Sequence, residues 1–244
     1  MPDVPPSLST SPLLPLTVLA RWQFDTTDAS ATTVLPDGCS DLILHVEACG
    51  HSAWHISPLA DAAMEVPGRA GEQWLGYRLC PGTTIDAAAL LQSARAIWHQ
   101  HRRRAGPRSC GLGHDTTALE ALLLEAIDHH TDRDPRVQEA LHALAHAATV
   151  GAAAHGLGVS ERTLERLTQR STGQSPRFWR ALARVRRAAQ ALGTAKPLAE
   201  IAADNGYADQ AHFHRDCLRW LGQTPAALRR TPQLLATVAQ AGYG

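Results

Sequence analysis

The chain has 244 residues, with 23 Lys+Arg balanced by 23 Asp+Glu and only 5% aromatic residues. That length suffices for one large core or two small ones, and no run of about 18 apolar residues is present to span a membrane. The cysteines, Cys39, Cys49, Cys80, Cys110 and Cys217, are odd in number and contain no CxxC pair, which argues against a secreted disulfide framework and for free thiols in a reducing cytoplasm.

The opening stretch, "MPDVPPSLSTSPLLPLTVLA", is apolar but broken by prolines and lacks a basic leader, so it reads as an N-terminal arm rather than a signal peptide. Residues 15–110 then alternate short apolar runs with turn signals. "TTVLPDGCSDLILHV" is interrupted by Pro36-Asp37-Gly38, and "SAWHISPL" and "EQWLGYRLCPG" close on Pro or Gly. Several such pieces in so short a span predict a small sheet or barrel.

This N-terminal part holds three sets of candidate residues. Trp54, Trp74, Tyr77 and Arg78 would line a small-molecule pocket, or the tryptophans would be core. His45, His51 and His55 with Cys39 and Cys49 offer imidazole and thiolate ligands to a transition metal, although their spacing matches no closed site. Arg78 stands two residues from Cys80, on the same face if both lie on a strand, as a redox-sensing thiol would require. The alternative is a buried, inert cysteine.

A helical pattern covers 86–101, "HRRRAGPRSCGLGHD", 101–115, reads as a basic, glycine-rich linker, and "HQHRRRAG", 99–106, reads as a solvated basic run or a phosphate-contacting arm. From Thr116 onward nearly everything is helical, with Leu119, Leu122, Leu123 and Ile127 on one predicted stripe. Asp134-Pro135 supplies an acidic cap and a first-turn proline for the next helix.

Two later segments repeat one pattern. "AAHGLGVSERTLERL" and "AADNGYADQAHFHRD" each read helix, glycine turn, helix, with Ala154 four residues before Gly158 and Ala202 four before Gly206. A small residue there lets two helices cross closely, and glycine permits the turn. Ser160 and Asp209 are placed to cap the second helix of each unit. Between the units, Phe178, Leu182, Val185, Ala189 and Leu192 form a buried stripe, while Arg180, Arg184 and Arg187 lie on another face. At 1.5 Å per residue this helix is roughly 24 Å long, a rigid spacer for two heads that read successive major-groove segments about 34 Å apart.

"GYADQAHFHRD", residues 206–216, admits a metal, a catalytic and a reading role. His212 and His214 are two apart, and on a helix such residues diverge, so they do not grip one ion. No nucleophile with a partnering base stands nearby. With Phe213, Cys217, Trp220 and Leu221 turned inward, Gln210, Ala211, His214 and Arg215 are left on the outer edge, with Arg219 beyond. Gln matches adenine, Arg matches guanine, and Ala can meet a thymine methyl. In the first unit Arg162, Glu165, Arg166 and Gln169 take the equivalent place. Each helix alone could be an ordinary solvated face, but duplication and charge favour reading. From Val150 to Thr231 there are 13 Lys+Arg against 6 Asp+Glu, leaving 10 against 17 elsewhere, the asymmetry expected if one domain meets a polyanion.

The segment from about Asp134 to Arg230 resembles the DNA-binding domain of AraC/XylS-type bacterial transcription regulators. The resemblance is carried by "GVSERTLERL", "GQSPRFW", "RVRRAAQAL", "LAEIAADNGYADQAHFHRD" and "GQTPAALRR". It departs from the family where Cys217 and Leu218 replace the usual Phe and basic residue. The N-terminal "PDGCSDL" region resembles a small domain fused ahead of such DNA-binding domains, where it senses or dimerises.

The resemblance implies contacts to DNA from Arg162, Glu165 and Arg166, and from Gln210, Ala211, His214 and Arg215. Gln169 and the connecting-helix Arg184 join them on their positions. The expected fold class is α+β in two domains. A β-rich, barrel-like domain covers 1–110, a helical linker 111–133, an all-α double helix-turn-helix domain 134–231, and a C-terminal tail 232–244. The expected function is sequence-specific transcription regulation in the cytoplasm, with double-stranded DNA as partner. A small-molecule effector, a homodimer and RNA polymerase are the further partners, and no membrane, cofactor, metal or catalytic residue is expected. The alternative is a metal- or thiol-based sensor, or a ligand-binding protein, whose helical half mediates protein contacts.

Overall fold

The computed structural model describes residues 14–105, 112 and 116–244. Most of the N-terminal arm and the stretch around Cys110 lie outside the described residues. The chain divides into two compact units, the first comprising residues up to 32 together with 40–58 and 67–133, the second comprising 33–39, 59–66 and 134–244.

The first unit is built on strands β1 (Val18–Asp25), β3 (Asp41–Val46), β4 (Ser52–Ile56) and β6 (Gln73–Leu79). They form an antiparallel sheet in the order β1-β6-β3-β4. Alternation decides its two faces. Leu42, Leu44 and Val46 of β3 and Leu75, Tyr77 and Leu79 of β6 turn to one side, against helices α1 (Ala87–Ala105) and α2 (Thr117–His130). Leu90, Ala94, Trp98, Leu119, Leu123 and Ile127 complete that core. Leu122, expected on the same stripe, is 39% exposed, because it sits one position off the i, i+4 row that touches the sheet.

On the opposite face Gly76 pairs with Trp22, and the missing Cβ leaves the space that the indole occupies. Trp22 Nε1 then donates to Asp41 Oδ1 at 3.1 Å. The two outer strands, β1 and β4, do not pair with each other. Among the described residues the expected barrel is therefore an open sheet. Two-stranded ribbons are formed by β2 (Ser30–Val34) with β5 (Met64–Gly68), and by β7 (Thr84–Ile85) with β8 (Thr131–Asp132). The helix expected as part of a linker, α2, packs into the core of this unit.

The second unit is helical. Its helices are α3 (Pro135–His146), α4 (Val150–Gly156), α5 (Glu161–Thr172), α6 (Pro176–Gln190), α7 (Leu198–Asp204), α8 (Gln210–Leu221), α9 (Pro225–Arg229) and α10 (Pro232–Val238), with one 3-10 turn after α6 (Ala191–Gly193). The caps are those the sequence predicts. The Asp134 side chain accepts from Arg136 N at 2.8 Å, Ser160 Oγ from Thr163 N at 3.1 Å, and Asp209 Oδ1 from His212 N at 2.6 Å. Gly158 and Gly206 turn the chain at φ +67° and +71°, the left-handed region that favours glycine.

Ala154, Ala202, Leu164 and Phe213 are buried around Leu182, Val185 and Ala189 of α6, which runs through the centre. Residues 232–244, expected as a tail, are part of this core, where Val238 and Tyr243 are buried. Leu35, from the "LPDGC" stretch, is buried in it too.

Candidate nucleic-acid interface

Each reading helix starts at a capped turn and presents one polar edge. On α5, Leu164 and Thr168 face the core, and Arg162, Glu165, Arg166 and Gln169 are exposed. Gln169 is partly engaged, since its Nε2 donates to the Gly173 carbonyl at 2.9 Å and helps close the helix end. Arg166 lies on the α3 side of this edge. With Arg170 and Arg136 it lines a cleft of about 470 Å³ that also contains Asp134 and Glu139. Arg170, one turn beyond Arg166, is a cation that the sequence reading left out. Its i, i+4 relation to Arg166 was the available signal.

On α8, Phe213, Cys217, Trp220 and Leu221 are buried, and Gln210, Ala211, His214 and Arg215 are exposed. His212 and His214 take different surroundings. The His212 ring meets Tyr207 edge-on at 5.1 Å, whereas His214 is solvent-exposed. Arg219 lies over the Trp220 ring at 5.5 Å.

The arginines of α6 correct the expectation drawn from their spacing. Arg184 does not face outward. Its Nη2 donates to Asp216 Oδ2 of α8 at 2.7 Å, with both side chains mostly buried, and its guanidinium covers the Tyr207 ring at 4.3 Å. Burial raises the Tyr207 phenol above its ordinary value, so the ring stays neutral beneath the cation. A guanidinium held by a carboxylate and an aromatic face has little left for a phosphate.

Arg180 bonds the carbonyls of Ala147 and Ala148, and Arg187 that of Ala145. Burial, and then the charges of Arg184 and Arg187, lower Arg180 from its usual value, so these carbonyls answer a real need. They lie at the end of α3, where free carbonyls and the helix dipole attract cations. Arg186, fully buried, donates to the Pro36 carbonyl at 3.3 Å and the Gln240 carbonyl at 2.9 Å. Spacing identified a polar row on α6 but not the chain that covers it.

The N-terminal candidates are likewise redistributed. Trp54 and Tyr77 are buried in the core of the first unit, because alternation turns both toward α1 and α2. Arg78 Nε is held by Asp41 Oδ1 at 3.2 Å. Trp74, on the other face, stacks on His45 at 3.9 Å and Phe24 at 6.0 Å.

Cys80 is half-buried, and burial raises its thiol. The opposing cation is Arg133, since Arg78 is engaged elsewhere, and burial outweighs it. That is the environment of an unreactive thiol rather than a sensor. The histidine and cysteine set is dispersed as well. His45 approaches Glu72 at 3.4 Å, His51 and Cys49 approach Glu47, and Cys39 is buried in the other unit. Among the described residues no three His, Cys, Asp or Glu side chains are grouped to hold a metal ion. Nor, among them, is any helix long and apolar enough to cross a membrane.

A family model described as a helix-turn-helix domain matches residues 153–231, the span of α4 to α9. No curated protein matches the chain. Among solved structures it is 30% identical to the C-terminal domain of AraT, a response regulator from Geobacillus stearothermophilus. That match covers 40% of this chain and 86% of that one, with a TM-score of 0.38. It is 29% identical to a transcriptional regulator from Chromobacterium violaceum described among AraC-type DNA-binding domain-containing proteins, covering 44% of this chain and 96% of that one at a TM-score of 0.37. It is 28% identical to the DNA-binding domain of AdpA, a global transcriptional factor solved with a target DNA, covering 41% of this chain and 93% of that one at a TM-score of 0.36. Residues 153–231 of the helical unit thus form a helix-turn-helix domain, and the solved structures they are similar to include AraC-type DNA-binding transcription regulators.

Proposed function

We propose that the protein regulates transcription by reading a two-part site on double-stranded DNA, with α5 and α8 entering successive major-groove segments on one face of the duplex. The observation that carries this reading is the sorting of cations in the helical unit. Arg180, Arg184, Arg186 and Arg187 of α6 are consumed inside the fold, with Arg177 at the start of that helix left exposed, whereas Arg162 and Arg166 of α5 and Arg215 of α8 stay exposed on the two capped helices. Glu165, Gln169, Gln210, Ala211 and His214 accompany them with the donors, acceptors and methyl that base edges can meet. Arg184 is withdrawn from that set, and its work is to hold α8 on α6. The protein acts in the cytoplasm, where such a site is accessible. Homodimerisation and contact with RNA polymerase would follow from the same role.

Regulation through the N-terminal unit is part of the proposal. Its support is the outer face of the sheet, where Phe24, Trp74 and His45 form a stacked row. Trp74 Nε1 has no hydrogen-bond partner among the described residues. Flat rings with one free donor suit a planar effector that carries an acceptor.

The test is binding of the full chain to its own upstream DNA as salt is raised from about 50 to 200 mM. Neutralising several phosphates makes affinity fall steeply over that range. A flat dependence would turn the helical unit into a protein-contact module.

A further inference from the structure

The "PDGC" turn finds its place in the helical unit, and the contacts there make a clamp. Gly38 adopts φ +76°, and a Cβ on it would stand 2.7 Å from Tyr243 Cβ, 3.0 Å from the Trp179 ring and 3.2 Å from Leu182. Gly242 is equally tight from the other side, with a Cβ there 2.9 Å from the Asp37 carbonyl and 3.0 Å from Arg186 Nη2. Tyr243 N donates to the Asp37 carbonyl at 2.8 Å, its ring meets Trp179 edge-on at 4.8 Å, and its hydroxyl donates to the Leu141 carbonyl of α3 at 2.7 Å. Buried Arg186 of α6 ties the Pro36 carbonyl to the Gln240 carbonyl. Turn, tail and α6 thus form one packed joint, with each glycine present because the neighbouring chain leaves no room for a side chain.

Three further arginines of α6 connect this joint to both reading units. Arg180 and Arg187 hold the end of α3 and the approach to α4, and Arg184 holds α8. The position of α6 therefore sets where both reading helices stand. We propose that the turn Pro36–Cys39 is a built-in control element for DNA binding. Docked, it locks the C-terminal tail and α6 and keeps the two reading helices pre-organised. Released, it lets α6 shift and weakens binding, since the ordering must then be supplied by the DNA. Cys39 is two residues before the start of β3 at Asp41, so the turn is continuous in sequence with a strand of the first unit.

The proposal rests on the reading of the helical unit as a DNA binder, and the experiment separates the two. In the full-length protein, Gly38→Val and the milder Gly242→Ala press on the joint from opposite sides. Gly156→Ala, where an added Cβ meets nothing within 4 Å, is the control. Hydrogen exchange reads the joint without DNA, and affinity for the upstream DNA reads its consequence. The expected result is that both variants lose protection together in 33–39 and in 238–243, and bind DNA at least about tenfold more weakly, with the control unchanged. If protection is lost while affinity stays within about twofold of the unmodified chain, the turn is packing only and the proposal fails. It also fails if each variant loosens only its own segment. Should Gly38→Val not fold, Gly242→Ala decides alone on the same criteria. If the unmodified chain binds no DNA, the functional reading fails instead, and joint loss of protection still shows the clamp.

Discussion

Arg184 and Arg215 are both arginines on amphipathic helices of a basic segment, and their surroundings give them opposite work. Arg184 is paired with Asp216 in a mostly buried place, so removing the carboxylate strands a cation. Asp216→Ala is expected to lower stability by about 2–3 kcal/mol in urea denaturation. A change within about 0.5 kcal/mol would mean that the pair is effectively solvated and would return Arg184 to the candidates for phosphate contact. Arg215→Ala should leave the denaturation midpoint where it is, weaken DNA binding by about 1–3 kcal/mol and relax preference at one base position. Uniform weakening on all sequences would make Arg215 a phosphate contact.

The cysteines separate on the same principle. Burial pushes the Cys217 thiol up to about 12, far above neutral pH, so it stays protonated and shielded. Site-resolved maleimide labelling of the native protein at neutral pH should modify exposed Cys49 and leave Cys217 and buried Cys39 intact. Rapid labelling of Cys217 would mean that α8 detaches from its core.

At the scale of elements, the two reading helices depend on their first turns. Asp209 and Ser160 each accept a backbone N–H three residues on. Loss of either cap is expected to cost about 1 kcal/mol. Asp209→Ala should therefore lower stability by that amount in urea and weaken DNA binding further, since Gln210 and Ala211 lie in the same turn. Equal binding by the variant and the unmodified chain would show that the start of α8 does not approach the duplex. Caps, glycine turns and buried stripes of α5 and α8 were legible because they depend on residues within about four positions of one another. The sheet was legible as strands and turns but not as an open sheet, since nothing local records which strands end as edges.

At the scale of the whole molecule, the helical unit is not a single stretch of sequence. Leu35 fills its core, and 59–66 lie in the same unit, with Ala63 against Gly222 at the end of α8. A fragment beginning at Asp134 lacks these pieces. It is expected to be less stable than the same unit in the full chain by about 2–4 kcal/mol, comparable to emptying a buried leucine site. Urea denaturation of both, followed by tryptophan fluorescence, measures the difference, and equal midpoints would show that the N-terminal segments contribute nothing to that core. The same long-range packing explains why a tail was expected at 232–244. Its residues carry little periodicity, and only the receiving surface on α6 shows why Val238 and Tyr243 are there.

The sequence by itself determined the helix-turn-helix repeat, its caps and turns, the polar edges of α5 and α8, and the resemblance these carry. All of these are set by neighbours along the chain. The tertiary structure alone decided which arginines are free. Periodicity places Arg180, Arg184 and Arg187 on a polar row, but whether that row meets water, DNA or protein depends on carbonyls 32 to 42 residues away and on Asp216 across the core. It also decided the place of the "PDGC" turn, because the side chains that close on Gly38 come from positions some 140 to 205 residues further along, beyond the reach of any local pattern.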